Sequence, residues 1–374
     1  MKLAICVIAY NRVNSLRRVL ENLNSAIYDN DNVDLIISID YSGIDDVKRV
    51  AEEYKWDFGR KRVIAYESNL GLRAHVLKCG DFTQEYDGLI VLEDDIYVSK
   101  SFYLYAKAAV AEYCNDERIA GISLYSFSSN YHNWLPFTPI RSDSDVYLMQ
   151  NAQSWGQVWM KTQWQMFKEW YLDNNSDFTE MPHLPKSICG WKKSWLKYHT
   201  RYCIENNKYF VYPYIALTTC FSDVGEHTSE ISTLVQVPIL NGIKRSYKFD
   251  PTIKYDAFFE NMDIPGALNM ESQDVCVDLY GEKQNRLKCR YWLTLSRQRY
   301  KVVKTFALQL KPMDQNVIDD IDGNEIILYD TSVEESQKGR DLKTEFYRYI
   351  YNKRRNIRED LYILSTEIIK RIFR

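Results

Sequence analysis

Nowhere in its 374 residues does the chain carry a Gly-x-Gly-x-x-Gly fingerprint or a Gly-Lys-Ser/Thr loop. That absence argues against a dinucleotide-dependent oxidoreductase and against a P-loop enzyme. Positive charge is not in excess either. The formal net charge is −3, so nucleic acid is not the expected partner, because phosphate backbones select basic surfaces. No apolar run approaches the length needed to cross a bilayer. Cysteines at metal-ligand spacing are missing too. The 8 cysteines, at positions 6, 79, 114, 189, 203, 220, 276 and 289, are scattered and include no Cys-x-x-Cys pair. This suits neither a zinc site nor a dense disulfide framework, and it predicts a reducing, cytoplasmic setting. Residues 1–10 superficially resemble a secretion signal, but the apolar stretch is short, lacks a small-residue cleavage site and runs straight into Asn11-Arg12. It reads as a buried strand.

What the chain does have is apolar mass and many rings. Hydrophobic residues make up 45% and charged residues 26%, the balance of a soluble globular protein with a sizeable core. Most of the 9 Trp, 29 Tyr and 15 Phe belong in that core, although such rings also pack on the C–H faces of sugars. Over the first hundred residues, apolar runs of strand length (3–9, 33–39, 62–66 and 88–92) alternate with helically spaced segments (14–24, 44–54 and one from Leu72). That rhythm predicts an α/β fold with a mainly parallel sheet covered on both faces. Ligands then gather at the strands' carboxyl ends, where Tyr10, Asp40, Glu67 and Glu93-Asp94-Asp95 emerge. Farther on, 101–114 and 191–204 read as helices, 119–124 and 209–216 as strands, and 126–145 as a loop. Residues 324–329 read as β structure, 331–343 as a linker, and 342 onward as an amphipathic helix.

The triplet Glu93-Asp94-Asp95 is the most informative motif. It closes the apolar run Leu89-Ile90-Val91-Leu92, so three carboxylates stand at a sheet edge. Adjacent carboxylates repel one another unless a cation or basic groups sit among them. A divalent ion that also bridges phosphate oxygens resolves the repulsion and assists a leaving diphosphate. For a bare Glu-Asp-Asp the alternative is a solvated acidic turn.

Four motifs occur in order, each at a strand end: Ala9-Tyr10-Asn11-Arg12, Asp40, Asn69-Leu70-Gly71-Leu72 and Glu93-Asp94-Asp95. Their order and spacing resemble the nucleotide-sugar-binding half of GT-A glycosyltransferases. They resemble family 2-type bacterial enzymes and, around the triplet, N-acetylglucosaminyltransferase I. The resemblance covers residues 1–125 and extends more loosely to about 230. It implies a Rossmann-like GT-A fold, with a mixed, mostly parallel sheet flanked by helices, a C-terminal extension and a terminal amphipathic helix. Residues 1–125 are then the donor half, 126–246 the acceptor half, 247–341 an accessory region and 342–374 a basic helix. The implied activity is metal-dependent transfer of a sugar from a nucleotide diphosphate, a UDP-sugar by preference, to a glycan or lipid-linked glycan in bacterial surface-polysaccharide synthesis (O-antigen or capsule).

The same resemblance assigns roles. Ala9, Tyr10 and the Asn11-Arg12 backbone border the nucleobase, and Asp40 accepts hydrogen bonds from base or ribose. Asn69 and Gly71 let the backbone approach the donor, and Arg73 neutralises the diphosphate. Asp95 falls where the family's carboxylate touches Mn²⁺ or Mg²⁺, with Glu93 and Asp94 against sugar, ribose or metal-bound water. Trp155-Gly156 floors the sugar pocket. His227, in a Gly-flanked loop, is a second metal ligand that would favour manganese. Taken as residues alone, Asp40 reads equally as a cap or turn former, Arg73 as a surface ion pair, Trp155 as a core ring and His227 as an ordinary histidine.

One position departs from the pattern. Inverting members usually carry an acidic base near the start of the helix that lines the acceptor site; aligned by the flanking tryptophans, that place in this chain is Trp191-Lys192-Lys193-Ser194-Trp195. Lysine is no base at neutral pH unless its pKa falls substantially. The remaining candidates are Glu226, Asp223, Asp177 and Glu180, with Glu226 preferred as the neighbour of His227. Lys192 and Lys193 are then either solvated lysines or contacts to donor phosphate or an acidic acceptor. Two rival readings stay open. A nucleotidyltransferase is disfavoured because no glycine-rich basic loop follows the first strand. A catalytically silent glycan-binding protein is kept open by the paired lysines. Residues 343–374 hold nine Lys/Arg against four Asp/Glu. The tail is therefore an amphipathic helix on the inner face of the cytoplasmic membrane, or one docked on its own domain or on a second subunit of a homo-oligomer.

Overall fold

The first strand, β1 (Leu3–Ala9), is buried along its whole length. It is followed by α1 (Val13–Leu23), β2 (Asp34–Ile39), α2 (Asp45–Glu53), β3 (Lys61–Ala65), α3 (Leu72–Gly80) and β4 (Gly88–Glu93). These four strands pair in parallel in the order β4-β1-β2-β3. Parallel strands covered on both faces need continuous apolar runs rather than alternation, which is what β1, β2 and β4 supply. α1 contributes a stripe of Leu16, Val19, Leu20 and Leu23 to the same core. The register sets Ile8 between Ser38 of β2 and Glu93 of β4. The carboxyl ends of three strands therefore stand side by side.

The computed structural model describes residues 1–223, 233–283 and 288–336, with positions 358, 361, 362, 364, 365, 368 and 369. After β4 come β5 (Ile96–Val98), α4 (Phe102–Tyr113) and β6 (Ile119–Ser123). A small hairpin of β7 (Ser129–Asn130) and β8 (Leu135–Pro136) precedes β9 (Val146–Met149), β10 (Gln157–Met160) and α5 (Lys161–Asn174). Then follow α6 (Lys186–Cys189), α7 (Leu196–Glu205), β11 (Tyr209–Pro213), β12 (Thr218–Cys220) and β13 (Lys254–Tyr255). The main sheet has nine strands ordered β13-β9-β11-β6-β10-β4-β1-β2-β3. β10 runs antiparallel to both β4 and β6, and β11 antiparallel to β9. The result is the mixed, mostly parallel sheet flanked by helices of the GT-A fold.

Contacts divide the chain into two units, Met1–Asp263 with Glu282–Asn285, and Ile264–Gly281 with Arg286–Arg374. The second unit contains α8 (Ile264–Ala267), β14 (Val275–Asp278), β15 (Tyr291–Thr294), β16 (Tyr300–Phe306), α9 (Met313–Ile318) and β17 (Ile326–Glu334). Its four-stranded sheet, β14-β15-β17-β16, closes over Ile264, Leu293, Phe306, Ile326 and Leu328. β17 runs on to Glu334, where the sequence suggested a linker, because its polar end still pairs with β16 through Tyr300. The described positions of the terminal segment are helical and exposed, and the rest of 342–374 lies outside the described residues. Among the described residues no helix is long and apolar enough to cross a membrane. All eight cysteines are free.

Candidate active site

β4 delivers Glu93, Asp94 and Asp95 to the carboxyl edge of the sheet, beside the end of β1. Facing them is Arg12, the residue that opens α1. Its guanidinium donates to Asp94 and, at 2.9 Å, to Asp95 Oδ2. The repulsion expected of the triplet is thus relieved by a basic group within the fold itself. Burial still pushes the Asp94 carboxyl up to about 6, with Arg12 opposing and Asp95 adding to the rise. Burial, followed by the charges of Asp95 and Asp94, pushes Glu93 up to about 8, against Arg12 and a hydrogen bond from Ser154. Burial and the neighbouring carboxylates thus favour the protonated form of Glu93, while the Arg12 guanidinium faces Asp94 and Asp95. Such a cluster retains negative charge for a further cation.

The donor chemistry fits Mg²⁺ or Mn²⁺, since the ligand atoms on offer are hard carboxylate oxygens. Asp95, its side chain 21% exposed, keeps an accessible face. Cys220 is close enough to feel Asp95, but burial first and that charge second push its thiol up to about 12, so it offers no thiolate. Among the described residues no group of three His, Cys, Asp or Glu could hold a metal unaided. Substrate oxygens would have to complete the shell. Glu226 and His227 lie outside the described residues.

Asp223 approaches the same cluster from the far side of the chain. Ser15 Oγ donates to its Oδ2 at 2.9 Å, and Arg18 bonds the same oxygen while lying 3.4 Å over the Phe221 ring. Burial opposes ionisation, but Arg18 and Ser15 outweigh it and hold Asp223 below the usual carboxylate range. A carboxylate held this way is a weak base. Asp177 is similarly committed, 2.5 Å from the buried ammonium of Lys197.

Asp40 occupies the end of β2 and is 4% exposed. One oxygen accepts the amides of Tyr41 (2.9 Å) and Leu70 (2.8 Å), and the other accepts Gly71 (3.0 Å). Asn69 adds a bond to the Tyr41 carbonyl at 2.9 Å. Asp40 therefore ties the 69–71 turn to the sheet edge, with little acceptor capacity left for a ligand. Gly71 precedes α3 with φ +78°, in the left-handed region that glycine tolerates. Arg73, on the first turn of α3, donates to Tyr198 Oη at 3.1 Å and to the Lys192 carbonyl at 2.8 Å. Its described partners are thus on the α7 side, away from Arg12.

Trp155 and Gly156 form a braced turn just before β10. Gln153 accepts the Trp155 amide and donates to the Gly156 carbonyl at 2.6 Å, while Thr218 Oγ1 donates to the Trp155 carbonyl at 2.5 Å. The half-buried indole packs on Tyr125, with ring centroids 4.8 Å apart. Tyr10 and Asn11 are half-buried beyond Ala9, whose carbonyl accepts the Asp40 amide at 3.0 Å.

Arg12, Glu93, Asp94, Asp95, Ser154 and Asp223 thus form one electrostatic cluster, and Asp40, Asn69 and Gly71 form a second across β1. Reading the sequence for acidic motifs misses Ser15, Arg18, Gln153 and Thr218. The signal for two of them was present: Arg12, Ser15 and Arg18 fall three residues apart, on one face of a helix.

Residues 4–199 match the model of a family described as glycosyl transferase family 2. No curated protein sequence matches the chain. Among solved structures, similarity is found to S. aureus TarS 1–349 in complex with UDP-GlcNAc, at 14% identity and TM-score 0.39, over 61% of this chain and 60% of that one. It is also found to the mannosyltransferase PcManGT from Pyrobaculum calidifontis in complex with GDP-Man and Mn²⁺, at 11% identity and TM-score 0.34, over 57% of each chain. This chain therefore spans less than two thirds of either structure.

Proposed function

Given that this chain belongs to glycosyl transferase family 2, we propose that it moves a sugar from a nucleoside diphosphate donor, a UDP-sugar, to a hydroxyl of a glycan or lipid-linked glycan, with Mn²⁺ or Mg²⁺ at Asp95. The observation that carries this reading is the set of carboxylates at the end of β4, compensated among the described residues by the Arg12 guanidinium, inside the region that the family match covers. A divalent cation there would supply Lewis-acid neutralisation of the departing diphosphate.

The remaining steps belong to the chain's own residues. Arg12 holds the Asp94 and Asp95 carboxylates in place. Asp40 fixes the turn through Asn69 and Gly71 against which the donor lies, with Tyr10 bordering the base. Trp155 offers an apolar wall for the sugar, and Gly156 allows close approach. The acceptor proton goes to a carboxylate, which we assign to Glu226, because Asp223 is engaged with Arg18 and Ser15. The preference for uridine and a setting in bacterial surface-polysaccharide synthesis rest on the family resemblance. The excess of basic residues after 342 supports an acceptor presented at a membrane.

A panel of nucleotide sugars, assayed for nucleotide release with Mn²⁺ or with chelator, tests the reading. We expect a UDP-sugar to be turned over only with metal, and Asp95→Asn to lower the rate at least about 100-fold. Release that is equally fast in chelator, or untouched by Asp95→Asn, would overturn the metal assignment. Inertness toward every donor would overturn the proposed reaction.

A further inference from the structure

Between α3 and the turn ahead of α7 the surface opens into a cleft of ≈ 370 Å³. Its charge is one-sided: Arg73, Lys192 and Lys193 line it, together with Tyr171 and apolar groups such as Leu70 and Leu77, and no carboxylate does. Lys192 and Lys193 are exposed, and neither makes an ion pair among the described residues. Arg73 is fixed by comparison. It is stacked 4.7 Å from the Tyr198 ring centroid and bonded to the Lys192 carbonyl, so it clasps the lysine-bearing turn against α3. Ser194 Oγ accepts the Leu196 amide at 3.1 Å, which delays the start of α7 and leaves both lysines on that turn. The half-buried Tyr171 ring, held edge-on by Tyr198 at 5.2 Å, offers a face on which a pyranose can pack.

The cleft also adjoins the donor side. Its rim includes Leu70 and Gly71, the residues whose amides Asp40 holds. Asp40 and Glu93 end the strands on either side of β1, a lateral separation on the order of 10 Å at the usual strand spacing. A carboxylate at Lys192 or Lys193 would repel a negatively charged ligand, whereas the two ammonium groups attract one.

We infer that this cleft receives the acceptor and that the acceptor is anionic, a glycan carrying carboxylate or phosphate groups close to the hydroxyl that is glycosylated. The inference rests on the transferase reading above and adds the class of acceptor. Exposed ammonium groups act through water, so their contribution is selectivity of about tenfold and a marked dependence on salt.

The test uses the full chain and two matched pairs of oligosaccharides: a uronate-containing one with its carboxyl-reduced form, and a phosphate-bearing one with its phosphatase-treated form. Binding is followed by intrinsic fluorescence, separately from transfer. We expect one charged member to bind at least about tenfold more tightly than its neutral partner at low salt. The pair showing the difference identifies the anion. Lys192→Gln with Lys193→Gln should erase the difference, and Lys192→Arg with Lys193→Arg should keep it. Equal binding of charged and neutral members, or a preference that survives the double Gln variant, would overturn the inference. A double Gln variant that weakens UDP-sugar binding as strongly would also overturn it, assigning the lysines to the donor. Charge-selective binding without any transfer would sink the proposed reaction, and with it the acceptor role, while leaving only the cleft's preference for anions; transfer without charge selectivity would overturn this inference and leave the reaction standing.

Discussion

The guanidinium of Arg12 is shared between two aspartates of the acidic triplet, bonded to Asp94 and 2.9 Å from Asp95. Asp94 is 3% exposed, so it depends on this partner for its charge. Arg12→Ala should cost about 3 kcal/mol at pH 7, as breaking a buried pair does. The cost should shrink at pH 5, because the Asp94 carboxyl titrates at about 6 and is then neutral. Urea denaturation at both pH values measures this. Equal losses would show that packing rather than charge is responsible.

Asp40 concentrates three backbone hydrogen bonds on one carboxylate. Asp40→Ala should destabilise the protein by about 3 kcal/mol, given roughly 1 kcal/mol or more for each bond to a charged acceptor. The amides of Leu70 and Gly71 should exchange with solvent much faster, and the donor KM should rise more than kcat falls. Unchanged exchange at those two amides would count against the tether.

Gly156 has φ +95°, and an added Cβ would lie 2.8 Å from the side chain of Thr218. Gly156→Ala should therefore lose about 2 kcal/mol through backbone strain and crowding. Adding Thr218→Ser, which removes the crowding methyl but not the strain, should recover only part of the loss in thermal melts.

His199 is buried and stacked on Phe167 with centroids 4.1 Å apart, and both ring nitrogens lack a protein partner. Burial holds its pKa down at about 3. Because the folded value is depressed, the stabilisation is complete above the unfolded value near 6.5 and is lost as pH falls toward 3. At pH 5 the loss from this group is about 2 kcal/mol. His199→Phe keeps a ring in place and should flatten the acid limb of the stability profile by that amount. An unaltered limb would mean that the imidazole is not responsible.

The strand–helix alternation through β4 is legible in the sequence because β1, β2 and β4 are continuous apolar runs buried almost along their length, and α1 carries a clear helical stripe. Beyond β4 legibility falls. β9, β10 and β13 are short, and β10 (Gln157–Met160) mixes Gln and Trp, so no period betrays it. Its membership of the sheet comes from pairing with β4 and β6 on either side. The late start of α7 was hidden for another reason. Residues 191–195 have helical spacing, but Ser194 takes the Leu196 amide and Arg73 takes the Lys192 carbonyl. At the site, the sequence pointed to Asp94 and Asp95 as carboxylates in need of a counter-ion. It did not identify Arg12 as that counter-ion, because the contact spans 82 and 83 residues of chain.

The alignment of Ile8 with Ser38 on one side and Glu93 on the other has a consequence for how this protein tolerates change. Deleting any one residue from β1 would shift Arg12 along the sheet edge and exchange the faces of every side chain between the cut and the helix. Such a deletion would disable the chemistry as thoroughly as replacing Arg12, even where the residue removed lies in the buried body of the strand. Length in this strand is thus under the same constraint as the identity of the charged residues, and insertions should survive only in the loops at the opposite edge.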